Sequence, residues 1–210
     1  MTPYHESDGV TLYHGDCREI LPQLGRFDLL LTDPPYGIGY GGSQSIGGTA
    51  GRTKAGWKTW KTGWDEAPVD QELLDYAIRQ AKISIVWGGN YFKLPPSQCW
   101  FVWDKEQRNF TLADAEMAWT NMDKAIRVFS YSRGLCVAEG PRQHPTQKPV
   151  ALMRWCLARA EDPQTILDPF AGSGTTLLAA KLEGRKAVGI EISEEYCEIA
   201  ANRLRQRLLF

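Results

Sequence analysis

Thr165-Ile166-Leu167-Asp168-Pro169-Phe170-Ala171-Gly172-Ser173-Gly174-Thr175-Thr176, read together with the chain that runs on to Glu191, decides the fold class. Thr165 to Leu167 is short, β-branched and apolar, which reads as a buried strand leading into Asp168-Pro169. Leu178 and Leu182 follow at helical spacing, with Gly184 placed just past the helix end. Ala187 to Glu191 is a second strand. A strand, a glycine loop, a helix and a strand make a βαβ unit, whose crossover sets the two strands parallel. Only 19 residues follow Glu191, room for one helix capped by Ser193, with Glu194 and Glu195 in its first turn. Its apolar stripe is Tyr196, Ile199, Ala200 and Leu204. The rest of the sheet has to come from upstream.

Upstream, Val10 to His14 is a strand closed by Gly15-Asp16, and Ile20, Leu21 and Leu24 recur at helical spacing. Phe27 to Leu31 is a buried strand ending at Asp33-Pro34-Pro35-Tyr36, where the prolines forbid helix and sheet alike. Asp70 caps a helix whose apolar face is Leu73, Leu74, Ala77, Ile78 and Ala81. Further strands are predicted at Ile83–Trp87, Cys99–Trp103, Ala115–Trp119 and Ile126–Tyr131, and Pro149 opens a helix carrying Leu152, Trp155, Cys156 and Arg159. Strands alternating with helices predict an α/β protein with a doubly wound, mostly parallel sheet. The 210 residues form one domain, 1–210.

Composition narrows the function classes. Hydrophobic residues make up 43% of the chain and the net charge is −1, which excludes disorder and a wholesale basic nucleic-acid binder. No apolar run approaches the ~18 residues that read as a membrane span, and the polar start carries no secretory signal pattern. Five cysteines without C-x-x-C spacing, and three histidines apart from them, predict reduced thiols, a cytoplasmic protein and no metal. Gly37 to Trp64 is the exception, with nine glycines, three tryptophans, four bases (Arg52, Lys54, Lys58, Lys61) and no acid. That segment carries +4, so the remainder sums to −5.

Glu191 lies 19 residues after Gly172, at the end of the next strand, where an acid accepts both hydroxyls of a ribose. The third glycine of the dinucleotide fingerprint is replaced by Leu177, and there is no Gly-Lys pair for a Walker loop. The pattern therefore points to a nucleoside cofactor, with the case for a dinucleotide weakened, against the alternative of a bare βα turn. Asp16 and Asp33 also stand at strand ends, where open α/β sheets bind ligands. Singly, each is equally a cap or a turn former. Asp16, Asp33, Asp168 and Glu191 on one rim suit a cationic, hydroxyl-rich molecule. In Asp33-Pro34-Pro35-Tyr36 a carboxylate, a fixed Pro34 carbonyl and an aromatic face suit a planar base bearing an exocyclic amine. Trp87-Gly88-Gly89-Asn90 and Trp103-Asp104-Lys105 read either as pocket edges or as a strand-end turn and a core residue with a surface ion pair.

Asp33-Pro34-Pro35-Tyr36, His144-Pro145-Thr146-Gln147-Lys148-Pro149 and the Asp168–Thr176 loop, in that order, resemble the β group of amino-methylating DNA methyltransferases. The resemblance runs from about Tyr13 to Leu204. It implies a Rossmann-like domain with permuted motif order and S-adenosylmethionine as cofactor. It further implies transfer to adenine N6 of an everted base, with cytosine N4 as the alternative, and DNA as partner. Asp33, Pro34, Pro35 and Tyr36 are implied as catalytic. Asp16 and Cys17 would meet the cofactor adenine with Ile192 packed on its ring. Glu191 would take the ribose, and Asp168, Phe170, Ala171, Gly172, Ser173, Gly174 and Thr175 the methionine end; Asp33 is implied at the cofactor as well, and Lys148 would help close its pocket. Relatives of this group often pair, so a homodimer is possible on that ground. Most also carry a sizeable recognition insert before the His144 segment, whereas Lys105 to Arg142 is short here. DNA contact is therefore expected from the 37–64 loop through Arg52, Lys54, Lys58 and Lys61. A nucleotide-dependent dehydrogenase and a catalytically silent DNA-binding module are the readings from other classes.

Overall fold

The structure, a computed structural model, describes residues 1–39, 66–108, 113–140, 143 and 146–206, together with the backbone of 52–53 and 56–57. Eleven strands are seen in chain order: β1 (His5–Ser7), β2 (Val10–His14), β3 (Phe27–Thr32), β4 (Arg52–Thr53), β5 (Gly56–Trp57), β6 (Ala81–Trp87), β7 (Trp100–Asp104), β8 (Ala115–Thr120), β9 (Arg127–Ser130), β10 (Thr165–Asp168) and β11 (Lys186–Glu191). The helices are α1 (Cys17–Ile20), α2 (Gln71–Arg79), α3 (Arg133–Ala138), α4 (Val150–Arg159), α5 (Thr175–Leu182) and α6 (Glu194–Arg205). Nine strands form one sheet in the order β1-β2-β11-β10-β3-β6-β8-β7-β9, while β4 and β5 pair with each other. From β2 to β6 every pairing is parallel, and β8 runs antiparallel to both β6 and β7. The expected doubly wound, mostly parallel sheet is the one observed.

Strand alternation shows why helices cover both faces. Leu29, Leu31, Ile85 and Trp87 point into one core with Leu152, Met153 and Cys156 of α4, Leu177 and Ala180 of α5 and Cys197 of α6. Leu30, Val86, Leu167 and Ile190 point the other way, onto Cys17 and Ile20 of α1 and Leu74 and Ala77 of α2. Caps end where the sequence puts them. Asp70 accepts from the Glu72 N–H, Ser193 from the Tyr196 N–H, and Gly184 follows α5 at φ +65°. The Glu139 carboxylate caps α4 from outside, accepting the Val150 and Ala151 N–H groups at 2.7 and 3.0 Å.

Connectivity places the site. β2 and β3 are consecutive strands, yet β11 and β10 lie between them in the sheet. The chain's last βαβ unit thus inserts into its first, and β10 meets β3 at a topological switch point. There the Thr32 hydroxyl at the end of β3 donates to Asp168 Oδ1 at the end of β10, at 2.8 Å. The seam also faces α2, whose preceding chain lies along the Pro35–Tyr36 turn through a Val69 N–H to Pro35 carbonyl bond of 3.0 Å and a bridge between Tyr36 and Pro68.

Candidate active site

A cavity of about 370 Å³ opens at this switch point. That is the size of a small-molecule site. All four strand-end acids, Asp16, Asp33, Asp168 and Glu191, are on its wall. Cys17, Lys148, Phe170, Ala171, Gly172, Ser173, Thr175 and Ile192 are there too. Val69, Leu73 and Pro68, from before and within α2, supply an apolar flank. The expectation that carboxylates from opposite ends of the chain share one rim holds in the geometry.

Each acid has its own environment. Asp16 caps α1 through the Arg18 N–H and is clasped by the Arg18 guanidinium, whose hydrogen bonds hold its pKa below the usual carboxylate value. Cap and cavity wall are the same residue. Glu191 accepts the Gly172 N–H at 2.8 Å and the Ser193 N–H at 2.8 Å. Burial raises its pKa despite those bonds. The carboxylate therefore fixes the glycine loop, and lone pairs remain for hydroxyl donors. Asp168 is buried and its pKa is pushed up to about 6 by burial, against bonds from Thr176, Thr32 and the Phe170 N–H.

Asp33 is the centre of a denser cluster. Lys148 Nζ donates to its Oδ2 at 2.6 Å, and the Tyr36 hydroxyl donates to its Oδ1. Burial raises the Asp33 pKa, with the Lys148 charge opposing it. Burial and the Asp33 charge keep the Tyr36 phenol protonated. Lys148 is only 5% exposed; burial disfavours its charge, yet two carboxylates hold its pKa above the ordinary lysine value. The second carboxylate is Glu116 of β8, 3.0 Å away. The Tyr36 ring stacks on Tyr91 at 4.9 Å and 15°. Gly88 lies directly under that ring at φ +66°, and a Cβ there would stand 2.1 Å from Tyr36 Cε1. The Trp87–Asn90 stretch is thus both a strand-end turn and the support of Tyr36.

Three expectations change. Gly174 does not line the cavity. It precedes α5 at φ +75°, where a Cβ would approach Ala200 Cβ of α6 to 2.8 Å, so a glycine there lets α6 pack close. Pro34 is buried behind the turn, and Asp33 and Pro35 form its cavity side. Lys105, read as a surface ion-pair partner, is 15% exposed and bound to Glu116 at 2.6 Å. Lys54, Lys58 and Lys61, the side chain of Arg52, and His144 lie outside the described residues. Glu116 was missed. It shares a face of β8 with the buried Ala118 and Thr120, and only the register of β7 with β8 brings it beside Lys105. Arg203 of α6 was missed as well; it donates to the Ser173 carbonyl at 2.5 Å and to the Ser173 and Thr175 hydroxyls at 3.1 Å each.

Fold and site together define a methyltransferase-type α/β domain with permuted motif order. A family model described as DNA methylase, of the N6/N4 type, matches residues 77–202, and the chain belongs to that family. It is 31% identical over 255 residues to the type II methyltransferase M.ScaI of Streptomyces caespitosus, covering 96% of this chain and 83% of that one. It is 28% identical to M2.DpnII of Streptococcus pneumoniae, covering 96% and 92%. Among solved structures, the M1.HpyAVI–SAM complex aligns with a TM-score of 0.57 at 22% identity, over 94% of this chain and all of that one. PvuII DNA methyltransferase, cytosine-N4-specific, aligns with a TM-score of 0.63 at 17% identity, over 99% and 90%. Among the described residues no helix is long and apolar enough to cross a membrane.

Proposed function

We propose that this protein methylates the N6 amine of adenine in DNA, using S-adenosylmethionine, after the base has turned out of the helix. The observation that carries the reading is the junction of two chemistries at one point. Asp33 stands on the cavity wall with Asp168 and Glu191, and its other side carries the Tyr36–Tyr91 aromatic pair. The residues fit the cofactor, since acids line the cavity for a molecule bearing two cationic centres and ribose hydroxyls, beside an apolar flank for its adenine. S-adenosylmethionine supplies an electrophilic methyl on a sulfonium.

The chain's residues do the rest. Glu191 accepts ribose hydroxyls while holding the Gly172 loop. Asp16 and Cys17 flank the adenine end with Ile192, and Asp168 through Thr175, without Gly174, enclose the methionine end. Asp33 accepts an N–H of the incoming amine, and the backbone carbonyl of Pro34, whose ring is buried behind the turn, is offered to the other. That pairing draws the nitrogen lone pair out of the ring and aims it. Orientation of this kind is worth several orders of magnitude in rate. Tyr36 stacks on the base, a contact of about 1–3 kcal/mol that offsets unstacking. The Asp-first order of the motif favours adenine over cytosine.

Tritiated methyl transfer to unmethylated DNA, followed by nucleoside analysis, tests the reading. N6-methyladenine is expected; N4-methylcytosine would overturn the choice of base, and DNA binding without incorporation would leave a silent binding module. Asp33→Ala is expected to abolish transfer while the circular dichroism spectrum stays that of the native protein.

A further inference from the structure

The ion pairs around Asp33 do not stop at Lys148. Lys148 Nζ lies 2.6 Å from Asp33 Oδ2 and 3.0 Å from Glu116 Oε2, and Lys105 Nζ lies 2.6 Å from Glu116 Oε1. The four groups come from the turn after β3, the segment before α4, the start of β8 and the residue just after β7. They alternate in sign in the order Lys105, Glu116, Lys148, Asp33. Lys148, between the two carboxylates, is the most buried of the four, its side chain 5% exposed. A lone buried lysine between two carboxylates would leave an excess negative charge, which is costly in a desolvated place. Lys105 removes that excess. Neither Glu116 nor Lys105 is on the cavity wall.

We propose that Glu116, backed by Lys105, is a positioning residue for methyl transfer: it divides the Lys148 ammonium between itself and Asp33, and so governs how readily Asp33 stays ionised to receive the amine. The proposal rests on the methyl-transfer reading above. Asp33 is faced by Lys148 from before α4, Glu116 from β8, Asp168 from β10 and Tyr36 from its own turn. Glu116 is faced by the two lysines, and although burial works against its charge, they hold its pKa at about 2. It therefore remains ionised throughout the range in which Asp33 titrates. Coulomb's law then gives opposite signs for two substitutions. Removing the Glu116 charge lowers the pH at which Asp33 takes up a proton. Removing the Lys105 charge raises it.

The experiment reads the Asp33 carboxyl carbon by NMR across pH in the full chain, the resonance being assigned by its loss in Asp33→Asn. Glu116→Gln is expected to move the midpoint down by about one pH unit, the usual scale for a neighbouring charge. Lys105→Gln is expected to move it up, and Glu116→Asp to keep the native midpoint. The acidic limb of methyl transfer to unmethylated DNA should shift with the midpoint in each variant. Midpoints that stay put, or move the same way in both variants, overturn the proposal. So does a midpoint that shifts while the rate profile does not follow. A native chain that transfers no methyl to DNA would sink the enzymatic reading and the positioning role with it, whereas unmoved midpoints in an active enzyme sink the positioning role alone.

Discussion

Asp168 shows at a single residue how a binding site strains against stability. Burial lifts its pKa to about 6, while an unfolded chain returns it to an ordinary value near ~3.9. Between those two values the native carboxyl keeps a proton that the unfolded one has lost, so stability falls as pH rises through that window. Above it the loss is constant, on the order of 3 kcal/mol at two pKa units. Asp168→Asn removes the charge and keeps an oxygen for the Thr32 hydroxyl, 2.8 Å away. The variant is expected to be more stable than the native protein at pH 8, by about 1–3 kcal/mol, and near native stability at pH 4. Urea unfolding at the two pH values checks this, and equal stability differences at both would contradict it. The same variant should bind S-adenosylmethionine more weakly, since an acid is lost from the cavity. Asp168, Asp33, Asp16 and Glu191 were legible in sequence because strand ends are legible and acids there are informative. Glu116 was not, because β8 pairs antiparallel with β7 and its position gains meaning only from that pairing.

At the scale of elements, the glycine loop and α5 depend on the neighbouring helix. The Gly174 N-cap offers no side-chain bond to α5. Arg203 of α6 holds the loop instead, through the Ser173 carbonyl and the Ser173 and Thr175 hydroxyls. Burial lowers the Arg203 pKa to about 10, which leaves it charged at neutral pH. Charge-assisted hydrogen bonds of this kind contribute roughly 1.5–3 kcal/mol each. Arg203→Ala is therefore expected to weaken S-adenosylmethionine binding about tenfold or more, read as the Kd by calorimetry, and to lower Tm. An unchanged Kd beside a lowered Tm would show that the arginine serves the fold alone. Elements were legible where caps and apolar stripes coincide, as at Asp70 for α2 and Ser193 for α6. β1 is a three-residue edge strand of His5, Glu6 and Ser7 with no apolar pattern to betray it. α3 buries none of its residues and carries Gly134, so no stripe marks it.

For the whole molecule, inserting β10 and β11 between β2 and β3 builds one pocket from both chain halves and leaves its rim acidic. The same economy sets a problem for a polyanion. Outside residues 37–64 the chain sums to −5, whereas that segment carries +4 with no acid and suits a polyanion. We propose that Arg52, Lys54, Lys58 and Lys61 contact phosphates, which position DNA without reading it. Lysines that neutralise phosphates release counterions, and log Kd then varies with log salt by about 0.9 per contact. Replacing Lys54, Lys58 and Lys61 together by Ala is expected to weaken DNA binding and to flatten that slope by about 2–3. S-adenosylmethionine affinity should stay native, because the acids and the apolar flank that line the described cavity are unchanged in the variant. Fluorescence anisotropy of a labelled duplex across a salt series gives the slope, and a triple variant with the native slope would assign the phosphate contacts to a different surface.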